Sequence, residues 1–405
     1  MKILYIHQYF KTPEEGGVVR SYYLAKGLVT HGYQVEMITA HNQKKYKKVI
    51  TDGITIHYLP VFYDNKLGFI KRVYAFLKFV RLARKKAAEI KNVDLCYAMS
   101  TPLTVGMIAL WIKKRLGIPY YFEVGDLWPE APIQMGAIKN RFLKKGLYNF
   151  EKKVYQEADK LIALSPSIRN NMEKTAPGKQ TFVIPNMSDC SFFDMEIKSK
   201  RVEEKFNVEN KFVITYFGAV GKANHLEFLV AAAEKCHDLR VRFMVMGYGS
   251  ELNRIKKLVL QKGIENLSFL PYGNKEDLKE VLNVTDAVYV SYADVPVLET
   301  GSPNKYFDAL ASGKLIIQNF GGWLKEITET NNCGFYTNPH KPSELIEKLR
   351  PVLENQKLLL HQQKNARSVA KSYFSKELQV QKLLKIFDNE YQMKVSDSQV
   401  YILTA

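Results

Sequence analysis

The chain reads as an α/β protein of two doubly wound domains in tandem, and three observations lead there. Its 405 residues exceed the size at which one core keeps growing. Short apolar runs alternate with amphipathic stretches twice along the chain, the rhythm of parallel strands joined by helices. Between the two series lies a polar, irregular segment over 186–200, entered through Val183-Ile184-Pro185-Asn186. The expected domains are 1–187 and 188–373, with an amphipathic C-terminal helix over 374–393.

In the first series, strands are expected at 2–10, 34–40, 54–60, 95–100, 119–125 and 160–165, with Gly16-Gly17 opening a helix over 18–30. In the second, strands at 211–218, 240–247, 267–272, 287–292 and 314–319 alternate with helices at 224–236, 251–262, 276–284 and 304–311. Ligands of such sheets bind at the carboxyl ends of the strands, so chemistry is sought in the loops that follow them.

Composition narrows the class. A hydrophobic content of 46% with 25% charged residues is that of a folded globular protein. Cys96, Cys190, Cys236 and Cys333 share no C-x-x-C spacing and read as free thiols in a reducing compartment. The opening MKILYIHQYF reads as a core strand rather than a signal peptide, and no charge-free apolar run reaches 18 residues. The net charge of +18 is uneven: residues 1–187 carry 30 Lys and Arg against 14 Asp and Glu, the rest 29 against 27. A basic first half points to an anionic surface as its partner.

The densest motif is 300–317, TGSPNKYFDALASGKLII. Gly301, Ser302 and Pro303 lead into a helix from Asn304, whose free N–H groups and dipole favour an anion. Lys305 adds a cation and Asp308 a carboxylate one turn on, a pairing suited to a nucleotide diphosphate-sugar. In YFGAVGKANHL, Gly218 and Gly221 allow close backbone approach to a phosphate and Lys222 supplies charge. Gly247-Tyr248-Gly249 and Pro271-Tyr272-Gly273 end the next two strands and offer a place for a base. Gly16-Gly17 opens the first helix with backbone N–H groups suited to a donor diphosphate, and Arg20 in its first turn is expected at an acceptor or membrane surface. In EVGDLWPE, Asp126 is the carboxylate placed at a reacting sugar, and Glu130 pairs locally. No Asp-x-Asp or H-E-x-x-H spacing supports a metal site. Residues 66–91 hold nine Lys and Arg and one acid, with Phe69, Ile70, Val73, Phe76, Leu77 and Val80 at helical spacing. This reads either as a basic amphipathic helix at an anionic membrane, through Lys71, Arg72, Lys78 and Arg81, or as a core helix with a solvated face.

On GDLWPEAP, YFGAVGKANHLEFLVAAA and GSPNKYFDALASGK, the chain resembles the retaining family four glycosyltransferases of GT-B fold, in the branch that builds bacterial O-antigen and capsule with N-acetylated amino sugars. The resemblance implies two Rossmann-like domains facing across a cleft and a C-terminal helix crossing back to the first. It implies a UDP-sugar donor in the second domain and a polyprenyl diphosphate-linked saccharide acceptor in the first. Lys222 and Lys305 match basic residues on the donor diphosphate, and Asp308 the second acid of an E-x₇-E motif. Asp126 stands where many members carry a histidine. The first acid of that motif falls on Thr300, with Glu299 one place off. Expected, then, are retention, no metal or other cofactor, no nucleic acid, and a peripheral place at the inner face of the cell membrane. A UDP-sugar 2-epimerase of the same fold and a non-enzymatic polyanion-binding protein are the alternatives; a dinucleotide oxidoreductase is disfavoured because G-x-G-x-x-G is missing after the first strand.

Overall fold

The computed structural model describes residues 1–16, 19–64, 67–238 and 240–389. Gly17, Val18, Lys66, the Phe69 side chain and residues 390–393 of the expected C-terminal helix lie outside the described residues. The chain divides into two units. The first is Met1–Asn186 with Thr300–Ser302 and the segment from Glu377; the second is Met187–Glu299 with Pro303–Lys376.

The first unit holds β1 (Lys2–Ile6), β2 (Gln34–His41), β3 (Lys47–Thr51), β4 (Ile54–Pro60), β5 (Leu95–Ser100), β6 (Tyr120–Val124), β7 (Lys160–Ala163) and β8 (Thr181–Val183). They form one sheet in the order β3-β4-β2-β1-β5-β6-β7-β8. All neighbours are parallel except β3, which runs antiparallel to β4. Central strands are apolar throughout because helices cover both faces: Ile3 to Ile6 and Leu95 to Ala98 are buried. The hairpin β3–β4 was not expected from the apolar runs. Its turn is Asp52-Gly53 with φ of 48° and 78°, the left-handed pair that a two-residue hairpin needs.

β1 is shorter than its apolar run suggests. It stops at Ile6, and the Phe10 N–H turns back to the His7 carbonyl. The C-terminal helix Lys376–Phe387 packs on this unit from Glu377 onward. Phe387 lies against Tyr97 and Tyr121, with ring centroids 5.9 and 5.3 Å apart. At Gly27 a side chain would collide with Val380, its β-carbon falling 2.2 Å from Cγ1. Glycine there lets the last helix approach closely.

The second unit holds β9 (Phe212–Ala219), β10 (Val241–Tyr248), β11 (Leu267–Leu270), β12 (Ala287–Val290), β13 (Leu315–Gln318) and β14 (Gly334–Tyr336), all parallel, in the order β11-β10-β9-β12-β13-β14. Its core joins Ile214, Leu229, Phe243, Ile255, Ile317 and Leu349. Apart from the β3–β4 hairpin, the chain reverses its direction of growth once in each sheet, between β1 and β5 and between β9 and β12. A crevice opens at the carboxyl ends of the strands at such a switch point, and there ligands bind.

Candidate active site

In the second unit, the loop after β9 and the helix Asn304–Ala311 meet at the β9–β12 switch point. Lys305 reaches back to β9: its Nζ donates to the Tyr216 hydroxyl at 2.7 Å and lies 4.0 Å from the centre of that ring. A β-carbon on Gly218 would sit 3.6 Å from the Lys305 Cε, so the cation rests against the glycine turn. Burial lowers the Lys305 pKa to about 7. Pro303 precedes the helix and no side chain caps it. Lys222 is exposed, and its side chain makes no hydrogen bond or ion pair with the described residues. Gly221 and Asn224 close the turn between them. The loops after β9 and β12 are tied by Ser291, whose hydroxyl donates to the Asn224 carbonyl at 2.7 Å.

Asp308 is half-buried on the same helix. Burial, reinforced by Asp189 and opposed by Lys275, raises its pKa to about 7. Glu299 takes the Gly321 N–H at 3.1 Å. Tyr248 and Tyr272 are exposed neighbours, ring centroids 5.9 Å apart. Gly247 has a packing reason of its own: a β-carbon would stand 2.6 Å from the Gly218 carbonyl oxygen, so glycine lets the β10 end lie on the β9 loop. Gly301 and Ser302 group with the first unit. There the Ser165 hydroxyl donates to the Thr300 carbonyl at 2.6 Å and the Asn186 N–H to the Ser302 hydroxyl at 3.1 Å.

In the first unit, Asp126 follows β6. It is open to water, and its carboxylate faces the Thr101 hydroxyl at 3.4 Å. Glu130 is held locally by Gln134 at 2.6 Å and by the Tyr148 hydroxyl.

Arg20 is a correction. Expected at an acceptor or membrane surface, it is 1% exposed. Its Nε donates to Glu123 at 2.9 Å, and its two terminal nitrogens to the carbonyls of Ile184 and Pro185. The Tyr97 hydroxyl donates to the other Glu123 oxygen. A charge so deep survives only fully paired, and Arg20 ties the first helix to the ends of β6 and β8.

On the helix Phe69–Glu89 the two faces separate. Ala75, Phe76, Phe79, Val80, Ala83 and Ala87 are buried, while Lys71, Lys78 and Arg81 are exposed beside Ile70, Tyr74 and Leu77. Arg72 is partly tied, donating to the Leu67 carbonyl at 2.8 Å. Among the described residues no helix is long and apolar enough to cross a membrane.

Two family models match in succession. Residues 15–187 match the glycosyl transferase 4-like domain, and residues 198–369 match glycosyl transferases group 1. The chain belongs to the group 1 glycosyltransferases. This glycosyltransferase is 24% identical over 249 residues to the putative colanic acid biosynthesis glycosyl transferase WcaI of Escherichia coli, covering 60% of this chain and 59% of the relative. It is 22% identical over 312 residues to the N,N'-diacetylbacillosaminyl-diphospho-undecaprenol alpha-1,3-N-acetylgalactosaminyltransferase of Campylobacter jejuni, covering 75% and 79%. Its fold is GT-B. It superposes on Anabaena HepE, solved with UDP-glucose, with a TM-score of 0.70 at 16% identity, covering 96% of this chain and all of that one.

Of the groups at the β9–β12 switch point, Lys305, Lys222, Gly218 and Asp308 were legible as motifs. Tyr216, which seats Lys305, and Gly321, which holds Glu299, were not. Both act through contacts that the sequence separates by 89 and 22 residues.

Proposed function

We propose that this glycosyltransferase moves a sugar from a UDP-sugar to a lipid-linked saccharide acceptor, with retention at the anomeric carbon and without a metal, in the synthesis of a bacterial surface polysaccharide. The sugar is an N-acetylhexosamine or a deoxy relative. The observation that carries this reading is Lys305, seated on Tyr216 against the Gly218 turn at the start of an uncapped helix. A cation, the start of a helix and a glycine turn converge where a diphosphate can be held. A relative named for transfer onto a diphospho-undecaprenol acceptor supports the acceptor class, and a structural neighbour solved with UDP-glucose supports the donor.

In the reaction the bond from the anomeric carbon to the diphosphate oxygen breaks, and its electron pair leaves with UDP. Lys305, Lys222 and the helix N–H groups take up that charge. The acceptor oxygen bonds to the same face of the carbon, and its proton passes to the departing diphosphate. Asp308 holds the ribose hydroxyls, and Asp126 orients the acceptor. The outward face of the helix Phe69–Glu89, with Lys71, Lys78 and Arg81 around Ile70, Tyr74 and Leu77, rests on the anionic inner surface of the cell membrane.

The test is thermal stabilisation by UDP, GDP and ADP sugars with and without Mg²⁺. At 100 times its dissociation constant a ligand adds about 2.7 kcal/mol. A shift with UDP, larger with one UDP-sugar and indifferent to Mg²⁺, is the expected outcome. No shift with any of them sinks the reading.

A further inference from the structure

Lys305 stands where a lysine is disfavoured twice over. It is the second residue of the helix Asn304–Ala311, and the first turn of that helix holds no acidic side chain. A cation there opposes the helix dipole. It is also bent inward, and burial lowers its pKa to about 7. A lysine in a first turn ordinarily reaches water along its flexible stem and escapes both penalties. This one is held in.

Tyr216 holds it with both its ring and its oxygen. The tyrosine is 0% exposed. Its ring centre lies 4.0 Å from the Lys305 Nζ, and its oxygen accepts from that nitrogen at 2.7 Å. Its own hydrogen goes elsewhere, because the hydroxyl donates to the Ala219 carbonyl. A phenol has one hydrogen and two lone pairs. With the hydrogen committed to Ala219, only lone pairs face Lys305, so the lysine is the donor. One ammonium hydrogen is thereby fixed, and the other two can turn to an anion. A buried phenol is satisfied by a single partner, which Ala219 supplies, so the contact with Lys305 exceeds what packing needs. Burial, with the Tyr292 phenol adding to it, holds the Tyr216 pKa well above its ordinary value, and the hydrogen stays on the oxygen.

Ala219 is the last residue of β9 and is paired with Tyr248. Next to it the Val220 N–H donates to the Tyr248 carbonyl at 2.9 Å, and from there the chain runs through Gly221 to Lys222. Gly218, just before, has φ of 105°, a conformation open to glycine. We propose that Tyr216 is a positioning residue that aligns two cations at once: its ring and oxygen aim Lys305, and its hydroxyl hydrogen fixes the turn that carries Lys222. The assignment rests on the donor reading above, in which both lysines meet the diphosphate. Tyr216 itself touches no substrate and acts through Lys305 and Ala219.

The test is Tyr216→Phe in the full chain, which keeps the ring and removes the hydroxyl, with UDP as the probe in calorimetry. An acceptor facing an ammonium favours its charged form, so losing it lowers the Lys305 pKa further. Proton uptake on UDP binding, measured against pH in buffers of different ionisation enthalpy, has its expected midpoint near pH 7 in the parent. In Tyr216→Phe the midpoint is expected about one pH unit lower. Lys305→Met, alone and combined with Tyr216→Phe, gives the baseline. A tyrosine that served packing alone would leave the midpoint where it is. Lys222→Ala is expected to weaken UDP binding about tenfold in the parent and at most about threefold in Tyr216→Phe, because a loosened turn no longer aims that cation. If Tyr216→Phe does not fold, fluorotyrosine at this position, with fluorine ortho to the hydroxyl, keeps both bonds but weakens the oxygen as an acceptor, and a smaller shift of the same sign is expected. An unchanged midpoint overturns the proposal, and so does a cost of Lys222→Ala that is equal in both backgrounds. UDP binding whose proton uptake is lost in Lys305→Met keeps the donor reading whatever Tyr216→Phe shows. No UDP binding to the parent removes the donor reading and this proposal with it.

Discussion

The two switch points share a topology and differ in charge. At the β9–β12 end, Lys305 and Lys222 stand ready for an anion. At the β1–β5 end, the one cation on the first helix turn, Arg20, is neutralised by Glu123, and what remains unpaired is the Gln8 amide, the His7 Nδ1 and the Ser100 hydroxyl. The same topology thus leaves cations at one switch point and neutral polar groups at the other, according to which charges stay unpaired after folding. Backbone geometry makes the place, and the internal pairing of ions decides what it accepts.

The sharpest way to break this contrast is to unpair Glu123. Arg20→Met leaves a carboxylate at 0% exposure without its ion partner, and a loss of about 3–5 kcal/mol in stability is expected by urea unfolding. Adding Glu123→Gln should recover most of it; if the single variant is as stable as the parent, the pair is not what keeps the first crevice neutral. On the other side, Lys305→Met should lower kcat about 10²–10³-fold, or about 3–4 kcal/mol of barrier, while the fold melts normally. Lys305 also makes a pH prediction. Its pKa of about 7 in the free protein means that a bound diphosphate draws a proton onto it. Calorimetry of UDP binding at pH 8 in buffers of different ionisation enthalpy should show proton uptake, absent in Lys305→Met.

Asp308 gives a smaller effect of defined sign. Its pKa is raised to about 7, above its unfolded value, so the folded state holds a proton that the unfolded state has lost and stability falls as pH rises through that interval. Asp308→Asn should therefore gain stability over the parent at pH 8 and match it near pH 4. A gain that is equal at both values would mean that the carboxylate is not strained by burial. The smallest effects belong to the surface. Replacing Lys71, Lys78 or Arg81 singly by Gln should weaken binding to anionic vesicles by about 1 kcal/mol each, and not to neutral ones.

Much of this was legible in the residues. Apolar runs of four to eight residues located β1, β2, β4 to β7 and β9 to β13, and the GSPNKYFD stretch located Lys305 and Asp308 with their helix. What stayed hidden has physical reasons. β14 is three residues long, and the helix Gln356–Val369 carries Gln362, Gln363, Lys364 and Asn365 in a row, so neither has a strong apolar pattern. β3 was announced only by Asp52-Gly53. Arg20 looked ligand-facing because its counter-ion lies 103 residues away, and no local pattern reveals such a pairing. His7 and Gln8 were absorbed into the apolar strand before them; the fold shows that the strand ends at Ile6.

The antiparallel strand β3 has a bearing on how this protein lives at high concentration. A parallel sheet with a bare outer strand invites another chain to extend it. Here the outermost position is taken by a five-residue strand that doubles back on β4, with Lys47 and Lys48 facing water beside an exposed Ile50. An approaching copy would meet two like charges on a short ribbon of opposite polarity. That edge is blunted by a short, charged strand, and self-association through it is discouraged.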